Sequence, residues 1–348
     1  MEELIVSGLA FLGPDLEPRH ARIGVQNGRI ISIEETVQKE GERWICPGLF
    51  NAHTHLGDAV AMDLPSQGTI EELVTPPHGL KHRILEATPY EALVRAMRSL
   101  LGPMLASGTH GFCDFREGGA GGVAALREAL LESPLHAVIL GRNGGETTGD
   151  GLGIAGTRDV PDQTSLVQEV QQQGKMVGIH AGERDPYDVD DALSLDPDFL
   201  VHCTHATDAQ LKKCADQEIP IVVCPRSNWQ LGVTDSSRFP PLRKMRELGC
   251  TVFLGTDNAM FVPPELFGEM SYLAYVYKLP PAEILYMATG GSAFFGSPSF
   301  IEIGAEAHLI VLDPAKAGAQ TSRDPAGSLI KRLGSHALER NVIRARHP

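Results

Sequence analysis

Met176-Val177-Gly178-Ile179-His180-Ala181-Gly182-Glu183 and, one strand-and-helix length later, Phe199-Leu200-Val201-His202-Cys203-Thr204-His205 decide the fold. Each begins as a short apolar run and stops on a histidine. Such a run reads as a strand buried on both faces, the habit of parallel sheets covered by helices. The pattern recurs downstream. Ile219-Pro220-Ile221-Val222-Val223 leads to Cys224-Pro225-Arg226-Ser227-Asn228, and Thr251-Val252-Phe253-Leu254 leads to Gly255-Thr256-Asp257-Asn258. Upstream, Ile45 to Ala52 leads to His53-Thr54-His55, and His110 to Phe115 and Ala137 to Leu140 each precede polar, Gly-rich residues. Repeated βα units with reactive residues at the strands' C-terminal ends predict an α/β fold, a (β/α)8 TIM-type barrel. No GxGxxG or Walker sequence supports a nucleotide-binding open sheet.

Both ends read differently. Leu4-Ile5-Val6, Ala21 to Val25 and Arg29 to Ile33 are strand-like, and Asn27-Gly28 is a hairpin turn signal. Ala307 to Asp313-Pro314 is another short strand closed by a turn. The two ends are therefore expected to form a small composite β-sandwich domain, residues 1–47 and 298–348, around a catalytic barrel of residues 48–297. Within the barrel, Thr88-Pro89-Tyr90-Glu91 reads as a capping box. It opens a helix with Leu93, Met97, Leu100, Leu101 and Met104 on one face, stopping near Gly108. Met270 to Tyr277 reads as a core helix that can also offer a homo-oligomer contact.

The chain has 348 residues, enough to bury a core without disulfides, and a formal net charge of −14. That charge argues against nucleic acid or an anionic membrane as partner and leaves a small-molecule substrate. Six scattered cysteines without a CxxC pair read as buried, reduced thiols of a cytoplasmic protein. Met1-Glu2-Glu3-Leu4 carries no signal-peptide pattern, and no apolar stretch approaches the ~20 residues of a membrane span.

The strand ends carry the chemistry. On a strand, side chains two apart point the same way, so His53 and His55 can reach one ion. His180, His202 and Asp257 end later strands, and Glu183 sits where a carboxylate can shuttle a proton. Singly, each has a plainer reading: a satisfied buried histidine, a helix-start acid, a helix cap. Together they suit metal-activated water attacking a carbon.

PGLxNAHTH over residues 47–55, HAGE at 180–183, VHCTH at 201–205 and LGTDN at 254–258 resemble the amidohydrolase superfamily, in its adenosine and cytosine deaminase-like branch. The resemblance implies that His53, His55, His180 and Asp257 bind one divalent metal ion, zinc ahead of iron or manganese. It implies that Glu183, His202 and Asp257 are catalytic. His202 and Asp257 take a proton from water, and Glu183 protonates a ring nitrogen before ammonia leaves. Thr54 and Asn51 would support the ligands. Two-metal members commonly carry a lysine on the fourth strand. Asp150 to Gly156 has none, and Lys175 precedes the fifth strand, which favours one metal and deamination of a purine-, pyrimidine- or pterin-like ring. The alternatives are a ring-opening cyclic-amide hydrolase and a non-catalytic binding protein.

After His55 the sequence departs from that pattern. Thr75 to Arg83 replaces a longer lid, and its Lys81-His82-Arg83 triplet can grip an anion or start a solvated helix. Lys81, His82, Arg116, Arg142 and Asn228 are candidate substrate contacts, with Glu117 and Asn143 placed beside them. His205 reads as a supporting or surface residue, His20, His308, His336 and His347 as ordinary. Trp44 and Trp229 read as packing residues, Trp229 also near the barrel mouth.

Overall fold

A computed structural model describes residues 4–37, 41–64, 67–158 and 162–342. The Met1-Glu2-Glu3 start and His347 lie outside the described residues. The chain begins with an antiparallel run, β1 (Leu4–Leu12), β2 (Glu17–Gln26) and β3 (Arg29–Glu35). Asn27 and Gly28 turn β2 into β3 with φ of 52° and 71°, the left-handed pair that a two-residue hairpin needs. β4 (Arg43–Pro47) then runs parallel to β1.

The barrel follows. Its strands are β5 (Leu49–His55), β6 (Thr109–Arg116), β7 (His136–Gly141), β8 (Gly151–Ile154), β9 (Met176–Ala181), β10 (Phe199–His202), β11 (Ile221–Val223), β12 (Val252–Leu254) and β13 (Asp257–Asn258). Each is parallel to its neighbours, in the order β12-β11-β10-β9-β8-β7-β6-β5-β13. β12 and β13 are one strand interrupted by Gly255-Thr256. Its first half pairs with β11 and its second with β5, so the sheet meets itself as a TIM-type barrel does. A Cβ at Gly255 would lie 2.8 Å from the His53 Cβ and 2.9 Å from its backbone, so only glycine lets the seam close.

Helices α1 (Ile70–Leu73), α2 (Leu80–Ala87), α3 (Tyr90–Ala106), α4 (Gly119–Ala129), α5 (Thr164–Gln172), α6 (Val189–Ser194), α7 (Asp208–Asp216) and α8 (Pro225–Gln230) join successive strands. In α3, Met97, Leu100, Leu101 and Met104 are buried as the spacing predicts, and the chain turns at Gly108. The capping box is not formed. Thr88 donates to the Ile84 carbonyl at 2.7 Å and closes α2, and Pro89 takes the cap position of α3. With the α2 carbonyls also needing partners, the hydroxyl goes to the nearer one.

The two ends do pair. β14 (Leu309–Leu312) is antiparallel to β4, and β15 (Leu338–Val342) to β14. Among the described residues, however, these six strands form one hydrogen-bonded sheet, β15-β14-β4-β1-β2-β3, and not the two facing sheets of a sandwich. Val6, Ala21, Ile23, Ile45 and Leu309 share one apolar cluster with Ile301, so the face is covered without a second ladder. The Leu266–Tyr272 helix runs into one wide turn, Leu273–Tyr277, which buries Leu273 and Tyr277 and exposes Tyr275. Trp44 is core, but Trp229 is 40% exposed, a correction to its reading as packing. Five cysteines are buried, Cys250 is half-buried, and none is in a disulfide. Among the described residues no helix is long and apolar enough to cross a membrane.

Inside the ring, Phe50, Phe115, Phe199, Phe253 and Phe295 form one packed cluster. Each buried phenyl contributes roughly 1.5–3 kcal/mol. Gly153 and Gly178 leave the space for Phe115, whose ring atoms approach within 2.7 Å of where either Cβ would be. Phe115 stands with its ring against the edges of His53 and His180, at centroid distances of 4.6 and 4.8 Å. The aromatic layer thus supports the site from below.

Candidate metal centre and active site

Phe50 and Ala52 belong to the inner cluster, so strict alternation along β5 would turn His53 and His55 outward. One extra residue prevents this. Asn51 pairs with Phe112 but Thr54 pairs with Asp114, a bulge that shifts β5 by one position and brings both imidazoles inward. Nε2 of His180 lies 3.2 Å from Nε2 of His53 and 3.4 Å from Nε2 of His55. Oδ1 of Asp257 lies 3.3 and 3.5 Å from the same two nitrogens. Four ligand atoms held at about 2.0–2.1 Å around a tetrahedral ion are about 3.3–3.4 Å apart. The spacing is that of a zinc-type donor set.

The protonation states agree. His180 Nδ1 donates to the Ile154 carbonyl at 2.8 Å, which leaves its Nε2 lone pair bare. Burial drives His53 and His180 below the ordinary imidazole value, and burial with the nearby Lys81 charge takes His55 down to about 3. All three rings are neutral at pH 7. Burial pushes the Asp257 carboxyl up, but its contact with His53 and the adjoining His202 holds it well below the carboxylate range. Neutral imidazoles and an ionised carboxylate are what a divalent cation binds.

Glu183 and His202 complete the inner wall. Oε1 of Glu183 lies 3.6 Å from His202 Nε2, and both group with Asp257. Partial burial raises the Glu183 carboxyl, against the pull of His202. Asp257 Oδ2 accepts a 2.5 Å hydrogen bond from Ser227, leaving Oδ1 for the histidines. Asn51 fixes the seam through both ends of its amide, donating to Thr256 Oγ1 at 2.7 Å and accepting from Thr256 N at 3.1 Å. His202 and Asp257 have φ of 74° and 60°. A left-handed non-glycine backbone costs of order 1–3 kcal/mol, and its occurrence at two facing strand ends marks a site under functional constraint.

Behind His55 stands a buried charge cluster. Glu117 Oε1 lies 2.9 Å from His55 Nδ1, 2.9 Å from Lys81 Nζ and 2.5 Å from Arg142 Nη2. Glu117 Oε2 meets Arg116 at 2.5 Å, Arg116 meets Asp114 at 3.3 Å, and Lys81 meets Asp58 at 2.9 Å. Against burial, Lys81, Arg142 and Arg116 hold Glu117 well below its ordinary value. Asp114 also accepts from Thr54 Oγ1 at 3.0 Å and Leu56 N at 2.6 Å.

This corrects two substrate-contact expectations. Arg116 is wholly buried between Asp114 and Glu117 and faces no cavity. Asn228 is sealed inside, donating to Thr204 Oγ1 at 2.7 Å. Lys81 does line the cavity, but Asp58 and Glu117 already neutralise it, so the expected anion grip is occupied from within. His82 and Arg142 also line the cavity. His205 faces away, 3.1 Å from the Val233 carbonyl and beside Phe239, and His20 pairs with Glu42 at 2.8 Å. His308 stacks on His110, and His336 is exposed. Sequence reading missed Asp58, Asp114 and the bond from Ser227. The signal available was a charged pair two apart, Asp114 and Arg116, at the end of an apolar strand.

A cavity of about 50 Å³ lies over the histidines, enough for a few waters at roughly 10–15 Å³ each. Ile70, Val74, Thr75 and Pro76 roof it, and Glu71 on α1 reaches Arg184 at 3.1 Å. A second space of about 290 Å³ lies beside it, lined by Pro77, Leu85, Glu86, Leu93 and Glu117. Pro76, His82, Arg142 and Ala155 line both.

Comparison with known proteins agrees with this geometry. Residues 147–291 match the adenosine deaminase family model and residues 44–153 the amidohydrolase family model. A relative from Methanothermobacter thermautotrophicus, named an aminohydrolase, is 34% identical over 99% of both chains. A 5-methylthioadenosine/S-adenosylhomocysteine deaminase of Halobacterium salinarum is 28% identical over 90% of this chain and 84% of its own. The fold is shared with an adenosine deaminase from Xanthomonas campestris solved with bound zinc, at a TM-score of 0.74 and 18% identity over 98% of this chain and 92% of that one. With its strand-end histidines gathered at a tetrahedral spacing and a full-length relative at this identity, the chain belongs to the amidohydrolase superfamily, in its adenosine deaminase-like part, and is a hydrolase of carbon–nitrogen bonds.

Proposed function

We propose that the protein is an aminohydrolase that releases ammonia from an amino-substituted heterocycle of the purine, pyrimidine or pterin kind. The observation that carries this reading is Glu183 beside His202 at 3.6 Å, both against Asp257, on the wall of the cavity over the four-residue donor set. His53, His55, His180 and Asp257 would hold one divalent ion, zinc first, which when bound would make water acidic enough to act as a nucleophile near neutral pH.

The chain's own groups do the rest. His202 and Asp257 line the cavity beside the donor set and accept the proton of the attacking water. Glu183, whose carboxyl burial raises, delivers a proton to a ring nitrogen, which draws electron density from the neighbouring carbon as water adds there. The proton taken from water passes on to the amino group, which leaves as ammonia, and the hydroxyl that water brought gives its proton back to Glu183 as the carbon–oxygen double bond forms. The bulge in β5 and the Ser227 bond keep the imidazoles and Asp257 in place.

The test is ammonia release by purified, zinc- or manganese-loaded protein across purines, nucleosides, pyrimidines and pterins. Ammonia from any of them supports the reading. Ring opening of a cyclic amide without ammonia, with metal bound at one per chain, would replace it by the cyclic-amide hydrolase alternative.

A further inference from the structure

The turn that follows β11 sends three successive side chains to three different targets. Pro225 opens α8 at its start, and about 100° separates one helical residue from the next, so neighbours do not share a contact. Arg226 points to the Leu266–Tyr272 helix, where one buried carboxylate grips it twice. Glu269 Oε1 accepts from its Nε at 2.8 Å, and Oε2 from its main-chain N–H at 3.3 Å. Arg226 Nη1 also reaches Glu265 Oε1 at 2.9 Å. Ser227 donates to Asp257 Oδ2 at 2.5 Å, and Asn228 donates to Thr204, two residues past His202, at 2.7 Å. Ser227, Asn228 and Glu269 are wholly buried.

The Ser227 bond has a chemical consequence beyond holding a side chain still. A carboxylate can offer a cation one oxygen or two. Asp257 Oδ1 is the oxygen beside the histidines, 3.3 Å from His53 Nε2 and 3.5 Å from His55 Nε2, while Oδ2 is taken by the hydroxyl. At 2.5 Å that bond is of the short, charge-assisted kind. A catalytic ion needs a position left open for water. Three imidazoles and one carboxylate oxygen leave it open, whereas a second oxygen from Asp257 would crowd it. The Arg226–Glu269 pair gives the hydroxyl a fixed base. A buried ion pair adds little stability over apolar packing, and its best-attested use is to fix register, here that of the turn carrying Ser227.

We infer that Ser227 is a positioning residue that restricts Asp257 to one coordinating oxygen, with Arg226 and Glu269 as the anchor that keeps its hydroxyl in place. The inference rests on the proposed one-ion reading of the donor set and is independent of which bond the enzyme breaks.

The experiment loads the metal-depleted full chain with Co²⁺ and reads its visible absorption. Three imidazoles, one carboxylate oxygen and water make five ligands, and Asp257 Oδ2 would make the sixth. A six-ligand, near-octahedral cobalt site is close to centrosymmetric and absorbs weakly. Ser227→Ala removes a single oxygen atom and fits the same space. It should keep one cobalt per chain by elemental analysis and lose several-fold in absorption per cobalt. Arg226→Lys, a point charge in place of a planar fork, should show part of the same loss. On a compound from which the parent releases ammonia, Ser227→Ala should lower kcat about 10–100-fold and leave KM unchanged. A merely structural serine would change stability and leave the cobalt spectrum alone. A parent-like spectrum in Ser227→Ala, with or without weaker metal binding, overturns the inference, and a parent-like spectrum in Arg226→Lys removes the anchor from it. Failure of the parent to take up cobalt sinks the metal reading and the inference together. A changed spectrum in Ser227→Ala with no ammonia from the parent keeps the inference and sinks deamination. Ammonia from a parent whose Ser227→Ala variant keeps its spectrum does the reverse.

Discussion

Two buried clusters lie side by side in this barrel, and they are built on opposite principles. The donor set of His53, His55, His180 and Asp257 gathers lone pairs at 3.2–3.5 Å with too few protons between them to satisfy one another. The neighbouring cluster of Lys81, Arg116 and Arg142 with Asp58, Asp114 and Glu117 balances three cations against three anions. The first is complete only when it holds something. Charge for charge, the second is complete as folded. The difference lies in what each leaves over: the donor set leaves lone pairs for a cation, whereas the charged cluster leaves no net charge.

The comparison can be broken at its chemical end first. Glu183→Gln should keep metal at the level of the unaltered protein by elemental analysis and lower turnover about 10²–10⁴-fold. Full activity in that variant would remove Glu183 from its proton-carrying role. At the scaffold end, Arg116→Met leaves the buried Asp114 without its cation and Glu117 with only Lys81 and Arg142, and unfolding in denaturant should show a loss of about 3–5 kcal/mol. A stability within error of the parent would mean that the cluster does not hold the fold.

The clusters touch at one place, where Glu117 meets His55 Nδ1 at 2.9 Å. Glu117→Gln should therefore weaken metal affinity by about 10–100-fold in a competition with a chelator, without abolishing it. An unchanged affinity would show the two clusters to be independent.

The most gradual effect belongs to another buried acid. Arg226 holds Glu269 at 2.8 Å, yet burial still pushes its carboxyl up to about 7. A folded-state value above the unfolded 4.5 means that the native state favours the protonated acid. Its contribution to stability is present below about pH 4.5 and is lost as pH rises through about 7, at no more than about 1.4 kcal/mol per unit. Glu269→Gln should flatten the fall of the melting temperature between pH 5 and 8. An unaltered profile would assign that fall to other groups.

Much of the barrel was legible because its strands are short, apolar and each followed by a residue with chemistry, as at Ile179-His180 and Val201-His202. The bulge in β5 was not. Nothing in Asn51-Ala52-His53-Thr54 distinguishes a regular strand from one with an extra residue, although the inward direction of both histidines depends on it. Arg116 was misplaced by a phase that could have been followed. Cys113 and Phe115 face the inner cluster, so Asp114 and Arg116 share the opposite face. The pairing of the chain ends was legible from matching strand flavour, but their arrangement as one sheet rather than two was not, because hydrogen-bond partners are chosen by tertiary contact. Trp229 shows the limit of composition, since a large aromatic need not be core.

The closing strand at Gly255-Thr256-Asp257 has a consequence in time. A ribosome delivers His53, His55 and His180 long before it delivers Asp257, and the ring cannot shut until Gly255 slides against His53. A nascent chain therefore carries three imidazoles without their carboxylate and without the wall that joins first strand to last. The four-residue donor set is therefore assembled only when nearly the whole barrel has emerged, and its last member arrives together with the strand that closes the ring.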